Sequence, residues 1–143
     1  MIKSYRGMIL DGGQETIRLS TNNGKTGYRI KKFQLMPEST GSGTNEALVT
    51  VWKYQQDSAI QNVNFNDNSL LAAAMFLRDQ GVVAITSESI IFDSALFNQD
   101  IFVTYADAQG STGLMNYYIE LEQVKLSLDE AAVATLKDMR GTN

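Results

Sequence analysis

The sequence contains no histidine and no cysteine. Without histidine, the Ser–His–Asp and Cys–His catalytic arrangements cannot be assembled, and zinc and iron sites lose their principal nitrogen ligand. Without cysteine there are no disulfides and no thiolate ligands, so the stability of the fold must come from packing. These absences exclude the most common catalytic designs, and we expect a non-enzymatic protein that has no metal or cofactor site.

Basic clusters and long apolar stretches are also scarce. The 143 residues include 12 Lys and Arg against 16 Asp and Glu, a formal charge of −4, and the cations are scattered along the chain. Nucleic-acid binding requires a cationic face, so we expect no nucleic-acid partner. No stretch approaches the roughly 20 apolar residues of a membrane span, and residues 1–10 do not resemble a signal peptide. The sequence therefore predicts a chain that is made in the cytoplasm and has no membrane partner.

What the sequence does contain is a succession of short β-rich segments separated by turn signals, such as the glycines of Asp11–Gly13. Helical segments do not alternate regularly with the strands, which favours antiparallel pairing. We therefore predict one domain over residues 1–143, an antiparallel β-sandwich of roughly eight strands, either jelly-roll-like or a barrel. The segments that we interpret as strands are 2–10, 15–19, 28–36, 48–54, 62–65, 82–85, 89–92, 101–105 and 114–126.

Two of these segments change the face on which their apolar residues lie. The alternation switches between Ile30 and Phe33, which predicts a β-bulge at Lys31–Lys32 that restores the register. A second switch before Val124 predicts another bulge near Gln123. Both strands are then expected to keep one apolar face along their whole length.

Two further segments have helical signatures. Leu70–Leu77 is a run of leucines and alanines that favours a short central helix, with a buried strand as the alternative. Ser127–Glu130 has the capping-box pattern, in which the Ser hydroxyl and the Glu carboxylate bind free amides of the first turn. It predicts a C-terminal helix over about 127–140, with Leu136 and Met139 on its buried face.

Carboxylate chemistry is the main catalytic possibility that remains. A glycosidase requires two carboxylates on opposite sides of a cleft. Four carboxylates stand in or near predicted strands: Asp93, Asp100, Glu120 and Glu122. Glu120 and Glu122 alternate with apolar residues, so we interpret them as part of a solvated strand face.

Apolar side chains on predicted edges and aromatic strands are the candidates for contacts with partners. Trp52 and Tyr54 share one strand face, and the edge of the N-terminal strand is expected to be unshielded. We therefore predict self-association through strand edges and aromatic anchors. The predicted interface residues are Ile2, Tyr5, Trp52, Tyr54, Leu136 and Met139.

Three segments carry a resemblance to a known group of proteins: Phe92–Tyr105 (FDSALFNQDIFVTY), Asn116–Glu122 (NYYIELE) and Ala134–Arg140 (ATLKDMR). They resemble the C-terminal half of short structural proteins of marine tailed bacteriophages, of the head decoration or cement type. The resemblance implies a virion protein on the capsid surface that binds the major capsid protein or other virion proteins. A trimer would match the three-fold positions of the shell. Two alternatives are a tail or receptor-contact module and a carboxylate-based hydrolase of envelope sugars.

Overall fold

The computed structural model describes residues 1–21, 24–39, 43–80, 82–92, 95–110 and 113–139. This part of the chain is mainly β, as predicted, and ends in one helix. Its elements are β1 (Ile2–Leu10), β2 (Gln14–Ile17), β3 (Thr26–Pro37), β4 (Asn45–Trp52), β5 (Leu70–Asp79), β6 (Val82–Ile91), β7 (Ile101–Asp107), β8 (Leu114–Lys125) and α1 (Leu128–Met139).

The strands form two antiparallel sheets that share one hydrophobic core. The smaller sheet has the order β1-β8-β3, and the larger has the order β2-β7-β4-β5-β6. Alternate side chains of both sheets point inward, and Phe33, Tyr105, Ile119 and Leu121 are among those that are completely or almost completely buried. The described strands form two open sheets, so the barrel alternative is wrong.

The two sheets approach each other closely along one side, where β3 faces β6. The backbone amide of Leu35 on β3 donates a hydrogen bond to the Ser87 hydroxyl on β6, with an N–O distance of 2.6 Å. Ser87 lies where the β5–β6 register shifts, and its φ of 56° is in the left-handed region. This irregularity of β6 brings the Ser87 hydroxyl to the edge of β3.

The prediction of a short central helix is wrong, because Leu70–Leu77 belongs to β5. This strand lies between β4 and β6. Ala72 and Ala74 face the core, and Ala73, on the opposite face, is also buried. A strand buried on both faces has a continuous apolar sequence instead of an alternating one, which is why the run resembles a helix.

The outward face of the larger sheet is covered by the long connection from β4 to β5. At the β2 edge, the side-chain amide of Gln14 exchanges two hydrogen bonds with the backbone of Gln56, at 2.9 and 2.8 Å. Near the opposite edge, the ring of Phe65 packs edge-on against that of Phe92, with centroids 5.3 Å apart. The connection therefore crosses the sheet, which explains the burial of Trp52 on the outward face of β4.

One of the two predicted bulges is confirmed. The pairing of β3 with β8 shifts register between Ile30 and Lys32. No such shift occurs near Gln123, so the prediction of a second bulge is wrong. Val124 and Leu126 lie on the outward face because they pack, with residues of α1, in a small second core.

Helix α1 begins with the predicted capping box. The Ser127 hydroxyl accepts a hydrogen bond from the Glu130 amide at 3.2 Å, and the Glu130 carboxylate accepts one from the Ser127 amide at 3.3 Å. Two of the four amides that a helix leaves free at its N-terminus are thereby satisfied. Among the described residues, no helix has the length and apolar character needed to cross a membrane.

The helix packs through small residues against Leu96, Val124 and Leu126. Ala131 and Ala134 are buried, whereas Leu136 is 63% exposed. The prediction that Leu136 faces the protein interior is therefore wrong, and the side chain of Met139 lies outside the described residues. Hydrogen bonds from the side chain of Asn98 fix the position of α1.

Asn98 is completely buried beneath α1. Its side-chain nitrogen lies 2.7 Å from the Thr135 hydroxyl, 3.3 Å from the Ala131 carbonyl and 3.0 Å from the Gly24 carbonyl. These contacts join α1 to the turn before β3. They turn the Ala131 and Thr135 side of the helix inward, and Leu136 is consequently directed outward.

We predict that Asn98→Ala lowers the free energy of unfolding by about 1–3 kcal/mol, because buried hydrogen-bonding groups lose their partner. Urea denaturation followed by circular dichroism measures this change. The matched control is Asn62→Ala at an exposed position, which should change stability by less than about 0.5 kcal/mol. Equal effects of the two substitutions would contradict the anchoring role of Asn98.

Candidate binding face

A groove of about 780 Å³ crosses the outward face of the smaller sheet. Residues opposite each other in antiparallel strands share a face of the sheet, so the strand register determines which side chains meet there. Two cross-strand rows, each with one residue from β1, β8 and β3, line the groove: Arg6, Tyr118 and Gln34, and then Met8, Asn116 and Met36.

The groove is supported from inside the protein by Tyr117. Its hydroxyl donates a hydrogen bond of 2.6 Å to the Glu15 carboxylate on β2, and so connects the two sheets. Gly7 makes room for this ring, because a Cβ atom at that position would lie 2.6 Å from the Tyr117 hydroxyl. Burial and the bond to Glu15 raise the pKa of Tyr117 well above its ordinary value, so its hydroxyl stays protonated as the donor.

Charged side chains occupy the other end of the same face. The Tyr118 hydroxyl donates a hydrogen bond of 2.7 Å to Glu120, and this bond raises the pKa of Tyr118. The Lys32 ammonium lies 5.9 Å from the centre of the Tyr118 ring. Arg29 and Glu122 form an ion pair at 3.6 Å. The charges at this end thus compensate one another.

Arg6 is different from these charged residues. It is exposed at the rim of the groove and makes no ion pair within the described part of the chain. Next to it, Met8 is 44% exposed, and Met36 on the far wall is 66% exposed. The groove therefore combines flexible apolar walls with one uncompensated cation.

The three candidate carboxylates among the described residues, Asp100, Glu120 and Glu122, do not form a pair across a cleft. Glu120 and Glu122 lie on the open outward face of β8, in agreement with the interpretation as a strand face. Asp100 instead holds the chain after β2, because its carboxylate accepts the amides of Leu19 at 2.7 Å and Ser20 at 2.9 Å. Asp93 lies outside the described residues. Within the described ranges, no cluster of three or more acidic residues that could hold a metal ion was found.

The predicted interface residues lie in different environments. Ile2 is 53% exposed on the outward side of β1, and Leu136 is exposed on α1. Tyr5 is half-buried against the shared core, and Tyr54 is half-buried in the connection after β4. Trp52 is 2% exposed and donates its indole N–H to the Thr50 hydroxyl at 2.7 Å, so it belongs to the interior of the chain.

Sequence reasoning missed the residues that form the groove. Alternation alone places Met8 and Met36 on the outward sides of their strands, opposite the buried Ile9 and Leu35. Their proximity depends on the position of β8 between β1 and β3, which pairs both methionines with Asn116. The groove can be identified only from the order of the strands in the sheet, and local sequence patterns do not encode that order.

A buried polar cluster lies among β4, β5 and β7, away from the groove. Asp107 accepts hydrogen bonds from the Tyr105 hydroxyl at 3.0 Å and the Asn45 amide at 3.1 Å. The Asn45 oxygen accepts two bonds from Arg78, at 3.0 and 2.6 Å. Asn45 therefore connects a buried cation with a buried anion. This arrangement stabilises the end of the larger sheet, since buried polar groups are costly unless they are hydrogen-bonded.

The Asp100 contacts predict a pH dependence of stability. Partial burial acts to raise the pKa of Asp100, but the hydrogen bonds from the Ser20 and Leu19 amides outweigh it and lower the pKa. Because the folded-state pKa lies below the unfolded value near 4, the stabilisation is complete above about pH 5 and is lost as the pH falls through the folded-state pKa.

We therefore expect Asp100→Asn, which keeps the shape but not the charge, to be less stable than the wild type at neutral pH. The difference should be smaller at about pH 2, because the wild-type carboxyl takes up a proton as the pH falls through its folded-state pKa. Urea denaturation at the two pH values measures both gaps. A gap of equal size at both values would show that the charge of Asp100 contributes nothing.

Comparison with known proteins adds no relationship to these observations. No protein-family model matches the chain, and no curated protein sequence is significantly similar to it. The function proposed below therefore rests on the fold, on the groove and its surroundings, and on the resemblance of the three sequence segments.

Proposed function

We propose that this protein is a virion structural protein, a decoration protein that binds the shell of a tailed-phage head and acts through surface contacts instead of catalysis. Its partners are the major capsid protein or other virion proteins and further copies of itself, with a trimer favoured. The observation that carries the proposal is the order of the strands, which fits a jelly roll, a fold common among viral capsid domains.

The way the strands pair supports the jelly-roll assignment. In this fold a long antiparallel ribbon is rolled up, so that the first strand pairs with the last and the remaining strands pair inward from both ends. β1 pairs with β8, β2 with β7 and β4 with β5. The remaining two strands, β3 and β6, lie side by side at the Leu35–Ser87 hydrogen bond, although β6 forms its ladder with β5.

A fold does not determine a function, so the surface must support the proposal as well. Several apolar side chains are exposed on the outward face of the smaller sheet, and exposed apolar patches are typical of protein contact sites. The large exposed residues there are Ile2 at 53%, Met8 at 44%, Leu10 at 55% and Met36 at 66%. This face offers an exposed apolar contact surface, which is what a decoration protein requires.

The alternatives have less support. A receptor-contact module would be favoured by joint exposure of Trp52, Tyr54 and the loop 37–44, but Trp52 is buried. A hydrolase of envelope sugars would need paired carboxylates in a cleft, whereas Glu120 and Glu122 lie on an open face. If the protein cleared cell-wall material in a zymogram and Glu120→Gln abolished this clearing, the hydrolase hypothesis would be supported instead.

Cryo-microscopy of virions that contain the protein tests the proposal directly. We expect density for this chain on the outside of the head at three-fold related positions, and mass spectrometry should find a copy number comparable to that of the shell protein. Density confined to the tail, or absence of the chain from the virion, would refute the proposal.

A further inference from the structure

Helix α1 exposes its two leucines and its valine and buries two of its three alanines. Leu128, Ala132 and Leu136 follow one another at intervals of four residues, so they form a single stripe along the helix. Leu128 is 69% exposed and Leu136 is 63% exposed, and Val133 beside them is 53% exposed. An amphipathic helix on a protein surface normally has the opposite arrangement.

The exposed stripe is acidic at its beginning. Asp129 lies three residues before Ala132 and seven before Leu136, so it flanks the stripe on the same side of the helix. Glu130 adds a second carboxylate to the first turn. The outward side of α1 is therefore an apolar ridge with negative charge at its N-terminal end.

The groove on the smaller sheet has the complementary character. Its walls include the exposed Met8 and Met36, and methionine side chains adapt to apolar surfaces of varied shape. Arg6 supplies an uncompensated positive charge at the rim, and Lys32 lies on the same face. An apolar ridge with acidic residues at one end matches this groove in both polarity and charge.

The helix of the same molecule cannot occupy the groove. Tyr117 marks the middle of the groove, and α1 follows the other end of β8, beyond Lys125. Eight residues of β-strand separate these points, a distance of about 25 Å. Asn98 also holds α1 at its own end of the protein. Any helix in the groove must therefore come from another molecule.

We propose that α1 of one copy lies in the groove of a second copy, with its Leu128–Leu136 stripe against Met8 and Met36 and with Asp129 close to Arg6. In this contact an apolar groove recognises an amphipathic helix. The inference rests on the proposed function in one respect, because both require self-association. Because helix and groove lie at different places on each molecule, the contact is head-to-tail and can close into a ring. A ring of three would provide the trimer proposed above.

Two variants separate the halves of this contact. Met36→Asp damages the groove and keeps the helix, whereas Leu136→Asp damages the helix stripe and keeps the groove. Both positions are exposed, so unchanged melting temperatures are expected and serve as the test of folding. Val82→Asp, at a position 71% exposed on β6, is the matched control.

Analytical ultracentrifugation measures the oligomeric state of each variant. A protein concentration of about 100 μM is sufficient to detect contacts of micromolar affinity. The wild type and Val82→Asp should self-associate, and each of the other two variants alone should sediment as a monomer. Their equimolar mixture should form a one-to-one complex, because the intact helix of one variant meets the intact groove of the other. A mixture that stays monomeric, or a wild type that is monomeric at this concentration, would overturn the proposal.

A charge exchange tests the register of the contact. Arg6→Glu should weaken self-association at least about tenfold by placing two carboxylates together, and adding Asp129→Arg in the same chain should restore it. Failure of this rescue would overturn the assigned pairing of Asp129 with Arg6. A virion reconstruction with the chain in the tail would refute the proposed function but leave this contact intact, so failure of the proposed function can be distinguished from failure of the contact.

Discussion

The alternation of side chains along β8 is the constraint on which the rest of the structure depends. This strand has a neighbour on each side, and its inward residues, among them Ile119 and Leu121, are fully buried in the shared core. Its outward residues Asn116 and Tyr118 form the middle of the groove. A shift of one residue in the pairing of β8 would exchange the two sets, so the hydrophobic core also fixes the position of the groove.

Two buried asparagine side chains hold α1 and the end of the larger sheet in place. Asn98 binds α1 and the turn before β3, and Asn45 connects Arg78 with Asp107 at the end of the larger sheet. A neutral amide offers both donors and an acceptor, so it can join groups that would otherwise be buried without partners. Neither asparagine is distinguished in the sequence from the many asparagines of turns. Their roles become visible only when the strands around them are in place.

The sequence was sufficient for the features that local patterns encode. The capping box located the start of α1 because its two hydrogen bonds involve residues three apart, and the Lys31–Lys32 bulge was visible as a break in alternation. β5 was misread because burial on both faces removes the alternation that identifies a strand. The outward turn of Val124 was interpreted as a bulge because the helix that covers it follows in the sequence but returns to it only in three dimensions.

The orientation of α1 also departs from the sequence-based expectation, and this departure bears on function. From the sequence, Leu136 was expected to face inward, since larger apolar side chains gain more from burial than alanine does. The helix instead packs through Ala131 and Ala134, and the anchoring by Asn98 prevents it from rotating to bury the leucine. For an isolated molecule the arrangement leaves apolar surface in water without compensation. The same arrangement becomes favourable when a second surface covers the helix, so the proposed contact between copies would account for this departure from the expected pattern.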